Sequence, residues 1–172
     1  PVGEQVAAIG DIVAARIDYQ PGVTNWRSTV SDVLQEGSGV CQDFAHLCLA
    51  LLRLRGIPCR YVSGYLHVGE EPAQSHAWIE FYAGTEGWLA FDPTHAKVPD
   101  ENYVVVGVGR SYEDVPPNRG VYRGRARETL EVVVSTRPAA GVNVVGLRDQ
   151  IEGLDVPVYA ELPQEPELFA GF

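Results

Sequence analysis

Three residues of this sequence could together perform nucleophilic catalysis, and they occur in the chain order Cys41, His76 and Asp92. Cys41 follows the Gly-Ser-Gly segment 37–39, which breaks the chain and offers a capping hydroxyl, and it precedes apolar residues at helical spacing. It is therefore predicted to lie in the first turn of a helix. Unpaired N–H groups and the helix dipole there favour a thiolate and can donate to an oxyanion. A small core residue is the other interpretation of a cysteine on an apolar helix.

His76 and Asp92 fall on two strand-like segments, 75–82 and 87–92, separated by a short turn-forming segment. The simplest interpretation is an antiparallel hairpin. If Gly84 is its centre, the two residues lie directly opposite each other, with Cβ atoms about 5 Å apart. An imidazole N–H could then donate to the carboxylate, which fixes the tautomer and supports the imidazolium that a base for a thiol becomes. A structural His–Asp pair is equally open, and a register shift of one residue would separate the two.

The alternation of side chains along this hairpin predicts one apolar core face and one polar face. The core face is predicted to carry Ala77, Ile79, Phe81, Leu89 and Phe91. The polar face is predicted to carry His76, Trp78, Glu80, Trp88, Ala90 and Asp92. Because Trp78 and Trp88 share a face with the reactive groups, they are predicted to line a substrate pocket for a peptide-like ligand.

The remaining patterns place these groups on a mixed helical and strand framework. Apolar spacing predicts an amphipathic helix over 4–17, and Ser28 or Thr29 could cap a short helix that runs to about Gln35. The stop signals Gly-Ile-Pro at 56–58 end the Cys41 helix, and a strand over 59–68 follows. Further predictions are a loop at 69–72 and a closing strand at 129–136.

Composition narrows the class of protein. The 172 residues, 45% hydrophobic and 21% charged, are ordinary for one soluble domain. No stretch approaches the roughly 20 apolar residues of a membrane span. A net charge of −10 argues against a nucleic-acid partner. The arginine run at 119–127 is predicted to be a solvated loop or an intramolecular partner for the surplus of acidic residues. Three cysteines argue against a disulfide framework and favour a reducing, cytoplasmic location, with Cys48 and Cys59 as core residues.

Five segments, in this order, resemble the bacterial transglutaminase-like family of the papain-like cysteine-enzyme superfamily: 39–47, 56–66, 75–80, 87–95 and 106–124. The resemblance covers about residues 1–137. It implies an α+β, papain-like catalytic domain in which the helix bearing the cysteine packs on an antiparallel sheet. By matching positions it implies that Cys41 is the nucleophile, His76 the base and then the acid, and Asp92 the orienting carboxylate.

These roles imply a cysteine-dependent amide hydrolase or acyltransferase that acts through a thioester on a protein or peptide, without a cofactor or a metal. The backbone N–H of Cys41 and one further donor would hold the oxyanion. Candidates for that donor are residues that precede the helix: Tyr19, Gln20 and Trp26. Asp43 and His46 match the motif but are expected to make structural hydrogen bonds, and His95 is expected to lie behind the reacting groups.

Two departures from the family pattern bear on these expectations. Ser111 stands where the family usually has an acidic residue, and the resemblance ends before a C-terminal extension at 138–172. The chain begins at Pro1 and has no methionine, so it is expected to be a fragment that lacks the family's β-rich N-terminal region, which could be a partner. Alternatives are a catalytically silent interaction module, and a metal site built from Cys41, His76 and Asp92 with His46 or His95.

Overall fold

A computed structural model of the chain describes residues 1–69, 73–116 and 133–136. The chain divides into two compact units, Pro1–Ser135 and Thr136–Phe172, and the elements below belong to the first. The predicted extension, the arginine run and most of the predicted loop at 69–72 lie outside the described residues, as does the first half of the predicted closing strand at 129–136. Its described part, 133–136, is not a strand, although the N–H of Ala73 donates to the carbonyl of Val134 at 3.0 Å.

Three α-helices form one layer of the fold: α1 (Val2–Arg16), α2 (Val30–Glu36) and α3 (Cys41–Leu54). The stripe predicted for the first helix is buried, with Val6, Ile9 and Val13 each no more than 7% exposed. Thr29 caps helix α2, and its hydroxyl accepts a hydrogen bond from the N–H of Asp32. No helix in the described ranges is long and apolar enough to cross a membrane.

Helix α3 begins at Cys41, as predicted, but its cap differs from the prediction. Val40 occupies the capping position, and its N–H donates to the Asp43 carboxylate at 2.8 Å. Ser38, predicted to supply a capping hydroxyl, lies instead in a short strand. Gly39 has to be a glycine here, because a Cβ atom would lie within 2.7 Å of the Asp43 side chain. The carboxylate of Asp43, the third residue of α3, therefore makes the capping hydrogen bond that was expected from the hydroxyl of Ser38.

A four-stranded sheet forms the second layer, with strand order β5-β4-β3-β6 and every neighbouring pair antiparallel. Its strands are β3 (Cys59–Leu66), β4 (Gln74–Tyr82), β5 (Trp88–Phe91) and β6 (Tyr103–Gly109). Two further short strands, β1 (Asp18–Tyr19) and β2 (Ser38–Gly39), pair in parallel. Helix α3 packs on β3 and β4. This helix-on-antiparallel-sheet arrangement is the α+β fold class predicted from the sequence.

The β4–β5 hairpin exists, but its register differs by two residues from the one predicted. Glu80 pairs with Ala90, so the centre of the hairpin is Thr85 and not Gly84. The connection contains a turn of 3₁₀ helix, Gly84–Glu86, which moves the centre along the chain. A shift of two residues keeps every side chain on its predicted face.

The predicted core face of the hairpin is buried, since Ala77, Ile79, Phe81 and Phe91 belong to the main core. The opposite face was expected to be polar. This expectation was wrong at Trp78, which lies on that face but is buried. Trp78 is 1% exposed, and the ring of Tyr103 packs edge-on against it at 5.3 Å. Gly64 leaves the space for the Trp78 ring, because a Cβ atom at position 64 would lie 2.6 Å from that ring.

Candidate active site

Cys41 lies in the first turn of α3, at one end of the helix layer, and is partly buried against the core. The parallel pairing of β1 with β2 brings Tyr19 beside Gly39, two residues before Cys41. Cys41 is therefore approached by the segment that follows α1 as well as by the sheet. The N–H groups of a first helical turn have no partner within the helix, which leaves donors beside the sulfur.

His76 and Asp92 form a buried pair. The Nε2 atom of His76 lies 2.7 Å from Oδ2 of Asp92, and the two residues are 8% and 0% exposed. Because a carboxylate can only accept, Nε2 carries the proton. A side-chain hydrogen bond also joins His76 to Cys41, for which the ring offers its second nitrogen, Nδ1. One imidazole thus contacts both a thiol and a carboxylate.

Asp92 accepts five hydrogen bonds. Oδ1 accepts the backbone N–H groups of Thr94 and His95, at 2.8 and 3.3 Å. Oδ2 accepts from Nε2 of His76, from Nδ1 of His95 and from the hydroxyl of Tyr103, each at 2.7 Å. The carboxylate is therefore fixed in orientation by the backbone and shared among three side chains.

The electrostatics of the pair favour its charged form. Burial alone would lower the pKa of His76, but the hydrogen bonds to Asp92 and Cys41 outweigh it and raise the pKa to about 9. Burial alone would raise the pKa of Asp92, but the hydrogen bonds from His76 and Tyr103 hold that pKa well below its usual range. The pair is therefore an imidazolium and a carboxylate at neutral pH.

The three candidates for a second oxyanion donor occupy different surroundings. Tyr19 is 56% exposed, and burial, followed by the charge of Cys41, raises the pKa of its hydroxyl. Gln20 donates its backbone N–H to the carbonyl of Gly39 at 2.8 Å. Trp26 is 55% exposed and lies under the guanidinium of Arg27. Tyr19 is thus the candidate whose hydroxyl is influenced by the charge of Cys41.

The two tryptophans are not arranged as predicted for a pocket. Trp78 is buried and stacks on the ring of His76, with ring centroids 6.1 Å apart. It has no surface to offer a substrate, so the prediction was wrong for this residue. Trp88 is partly exposed, but the guanidinium of Arg60 covers its ring at 4.2 Å. Arg60 is in turn held by Glu80, at 2.5 Å.

Asp43 and His46 make the structural hydrogen bonds expected of them. The Asp43 carboxylate accepts from the hydroxyl of Thr24 at 2.6 Å, in addition to its capping bond, and Nε2 of His46 accepts the N–H of Tyr112 at 3.1 Å. Burial lowers the pKa of His46, in keeping with a neutral acceptor. These contacts tie the loop before α2 and the segment after β6 to α3.

Cys48 and Cys59 are core residues, as predicted, with exposures of 0% and 5%. Burial raises the pKa of both thiols, that of Cys48 to about 12. Neither thiol is therefore a nucleophile at neutral pH.

One cluster in the described part of the chain has the donor atoms for a metal ion. Nε2 of His76, Oδ2 of Asp92 and Nδ1 of His95 lie within 4.8 Å of one another. Imidazole and carboxylate groups are ligands that zinc accepts. The same three atoms are already joined by hydrogen bonds of 2.7 Å, so they have partners without an ion.

The comparisons with known proteins agree with this geometry. Residues 1–93 match the transglutaminase-like superfamily. The chain belongs to this superfamily. A structure of a candidate cysteine protease from Cytophaga hutchinsonii is 38% identical, with a TM-score of 0.58, over 65% of this chain and 38% of that one. LapG from Legionella pneumophila, 20% identical, shares the fold with a TM-score of 0.52, over 63% of this chain and 65% of that one.

Curated relatives extend the comparison. An uncharacterised protein of Mycobacterium leprae is 44% identical over 78% of this chain and 56% of its own length. A protein-glutamine gamma-glutamyltransferase of Pseudomonas aeruginosa is 32% identical over 51% of this chain and 15% of its own length. The chain spans about half the length of the mycobacterial relatives that it matches. As a member of the transglutaminase-like superfamily, the chain belongs to a family of cysteine hydrolases or acyltransferases.

One residue of this transglutaminase-like site escaped sequence reasoning. Tyr103, which bonds to Asp92 and packs on Trp78, belongs to β6, a strand that was not predicted. The β-forming run Tyr-Val-Val-Val at 103–106 was a signal for the strand. Nothing in the sequence, however, places an isolated tyrosine beside a carboxylate on another strand.

Proposed function

We propose that this chain is a cysteine-dependent amide hydrolase or acyltransferase that acts through a thioester on Cys41. The observation that supports this most is the continuous contact from Asp92 through His76 to Cys41 at the start of α3. A thiol, an imidazole and a carboxylate in this order form an activated nucleophile. The proposed substrate is a protein or peptide.

In the first step, the Cys41 thiolate attacks the carbonyl carbon of an amide, and the carbonyl oxygen becomes an oxyanion. Backbone N–H groups of the first turn of α3 would donate to it, with the Tyr19 hydroxyl as the proposed second donor. The C–N bond then breaks, and the amine departs with the proton that His76 gives up. The products of this step are a free amine, a thioester on Cys41 and a neutral His76.

In the second step, His76 takes a proton from the incoming nucleophile as that nucleophile attacks the thioester. Cys41 leaves as a thiolate, and His76 is again an imidazolium. Water yields a carboxylic acid, whereas an amine yields a new amide. The candidate protease and the glutamyltransferase among the relatives carry the names of these two outcomes, and we propose both for this chain.

The alternative, a silent interaction module, would be favoured by a Cys41 that is covered or separated from its base. Cys41 is instead partly exposed and bonded to His76. These contacts favour the enzyme over the module.

The test is the reaction of the three cysteines with iodoacetamide between pH 5 and pH 10, quantified for each cysteine by peptide mass spectrometry. The variants are His76→Ala and, as a control at an exposed position of the loop after β5, Val98→Ala, a residue that is 70% exposed. We expect Cys41 to react at least about tenfold faster than Cys48 and Cys59 at pH 6, because a thiolate is the reactive form. His76→Ala should abolish this advantage, and Val98→Ala should preserve it.

Equal rates for the three cysteines in the folded parent would contradict the proposal. So would a His76→Ala variant that reacts at pH 6 as fast as the parent. If the advantage is found, incubation with peptide amides, with and without an added primary amine, separates hydrolysis from transfer by the mass of the product.

A further inference from the structure

The oxygen Oδ2 of Asp92 is crowded with donors. His76, His95 and Tyr103 all lie 2.7 Å from this one atom, although a carboxylate has about two lone-pair positions on each oxygen. The other oxygen takes only two backbone N–H groups. The three side chains therefore compete for the charge of one oxygen.

Orienting the carboxylate does not explain the two additional donors. The N–H groups of Thr94 and His95 already hold Oδ1, and the loop that carries them is closed by backbone hydrogen bonds in both directions between Asp92 and Lys97, at 2.8 and 3.2 Å. What the donors change is how much negative charge remains for His76, because a hydrogen bond to a charged group withdraws part of that charge.

We propose that His95 and Tyr103 act as positioning residues that limit the negative charge Asp92 presents to His76, and so keep the His76 imidazolium able to release its proton to the departing amine. This inference rests on the proposed function. A carboxylate shared with fewer donors would hold the proton of His76 more tightly. General acid catalysis is most efficient when the acid gives up its proton near the working pH, so sharing the carboxylate favours turnover.

The titratable and charged groups around His76 and His95 come from helix α3, the loop after β5 and strand β6. They are Cys41, Asp92, Lys97, Asp100 and Tyr103. Lys97 is held by Asp100 at 3.1 Å and lies 5.1 Å from the Tyr103 ring. Because its charge is already paired, the donors to Oδ2 remain the groups that decide how much charge reaches His76.

The positions of the two residues make the proposal testable by substitution. The His95 side chain is 45% exposed, whereas that of Asp92 is 0% exposed. His95 therefore lies on the solvent side of the buried pair, and its replacement does not open the core. The side-chain amide nitrogen of an asparagine falls close to the position of Nδ1 in a histidine, so His95→Asn keeps the donor while removing the ring.

The experiment is an NMR titration of the histidine rings in the 172-residue chain, which has four histidines. The variants are His95→Leu, His95→Asn, Tyr103→Phe and the loop control Val98→Ala. Removing one donor should raise the titration midpoint of His76 by about 0.5 to 1 pH unit, because more of the Asp92 charge is then available to His76. His95→Asn and Val98→Ala should leave the midpoint in place.

An unchanged or lowered midpoint in both His95→Leu and Tyr103→Phe would overturn the inference. A shift in His95→Asn as large as that in His95→Leu would also overturn it, because the ring and not the donor would then matter. Thermal unfolding of each variant shows which variants are folded. If His95→Leu does not fold, the result for Tyr103→Phe alone decides the test. The titration does not depend on activity: an inert Cys41 in the parent contradicts the proposed function, whereas an unmoved His76 contradicts this inference alone.

Discussion

Replacing Asp92 by asparagine removes a charge from the centre of the site while keeping the shape of the side chain. The carboxylate is fully buried and accepts five hydrogen bonds, three of them on Oδ2. An asparagine oxygen could keep the two backbone N–H groups, but its NH₂ group would then face three donors. His76 would have to turn or change its tautomer, and it would lose the counter-charge that stabilises its imidazolium.

The size of the effect follows from the electrostatics of His76. Its pKa is raised from an ordinary value of 6.5 to about 9. A return to the ordinary value changes the ratio of charged to neutral imidazole by about 300-fold, which is about 3 kcal/mol. At pH 7 the imidazole would fall from almost fully protonated to about one quarter protonated, and burial would lower that fraction further. The thiolate of Cys41 would lose most of its partner.

The assay is the rate of Cys41 alkylation between pH 5 and pH 8, with Asp100→Asn as a matched control. Asp100 lies in the same region but is exposed, and it bonds to Lys97 and Asn102. We expect Asp92→Asn to slow alkylation at pH 7 by about fourfold or more, because the protonated fraction of His76 falls to about one quarter, and Asp100→Asn to have no effect. A folded Asp92→Asn variant with the parent's rate and pH dependence would refute the electrostatic reasoning for the whole site.

Two further predictions concern stability. Because the pKa of His76 is raised, its contribution to stability is complete below about pH 6.5 and is lost as the pH rises through about 9. Because the pKa of Asp92 is lowered, its contribution is complete above pH 3.8 and is lost in stronger acid. Urea unfolding from pH 3 to pH 10 should follow this curve in the parent and lose it in Asp92→Asn; an alkaline limb that persists there would contradict the assignment. Gly64→Ala should lower the free energy of unfolding by about 1 to 3 kcal/mol, because its Cβ would lie 2.1 Å from a backbone oxygen of β6 and 2.6 Å from the Trp78 ring. Gly3→Ala, with open space around its Cβ, is the control and should not destabilise; equal stabilities for the two would contradict the packing argument.

Local signals predicted what depends on neighbouring residues. The break at 37–39 and the apolar spacing after it located the start of α3 at Cys41, and strand alternation placed His76 and Asp92 on one face. The register was wrong by two residues, because the 3₁₀ turn cannot be read from the residues that form it. The prediction that His76 contacts Asp92 was nevertheless right, because side chains alternate with a period of two along a strand, so both residues stay on one face. In the observed register they are diagonal neighbours, and the histidine side chain is long enough to reach the carboxylate.

Contacts between distant segments could not be predicted in the same way. The pairing of β1 with β2 is only two residues long, too short for any periodic pattern, yet it brings Tyr19 to Cys41. The burial of Trp78 depends on Gly64 beneath its ring and on Tyr103 beside it, two residues from different strands. Sequence alternation assigns a face to a side chain but does not say what covers that face.

The three cysteines turn one labelling experiment into a measure of both site and fold. Cys48 on α3 and Cys59 on β3 are buried between the two layers, and burial raises the pKa of both. Their labelling therefore reports opening of the core, whereas labelling of Cys41 reports its contact with His76. A variant that slows Cys41 while Cys48 and Cys59 stay protected has lost the activating contact, and a variant that exposes all three has lost the fold. Effects on chemistry and on stability, which a loss of activity alone would confuse, are separated within a single sample.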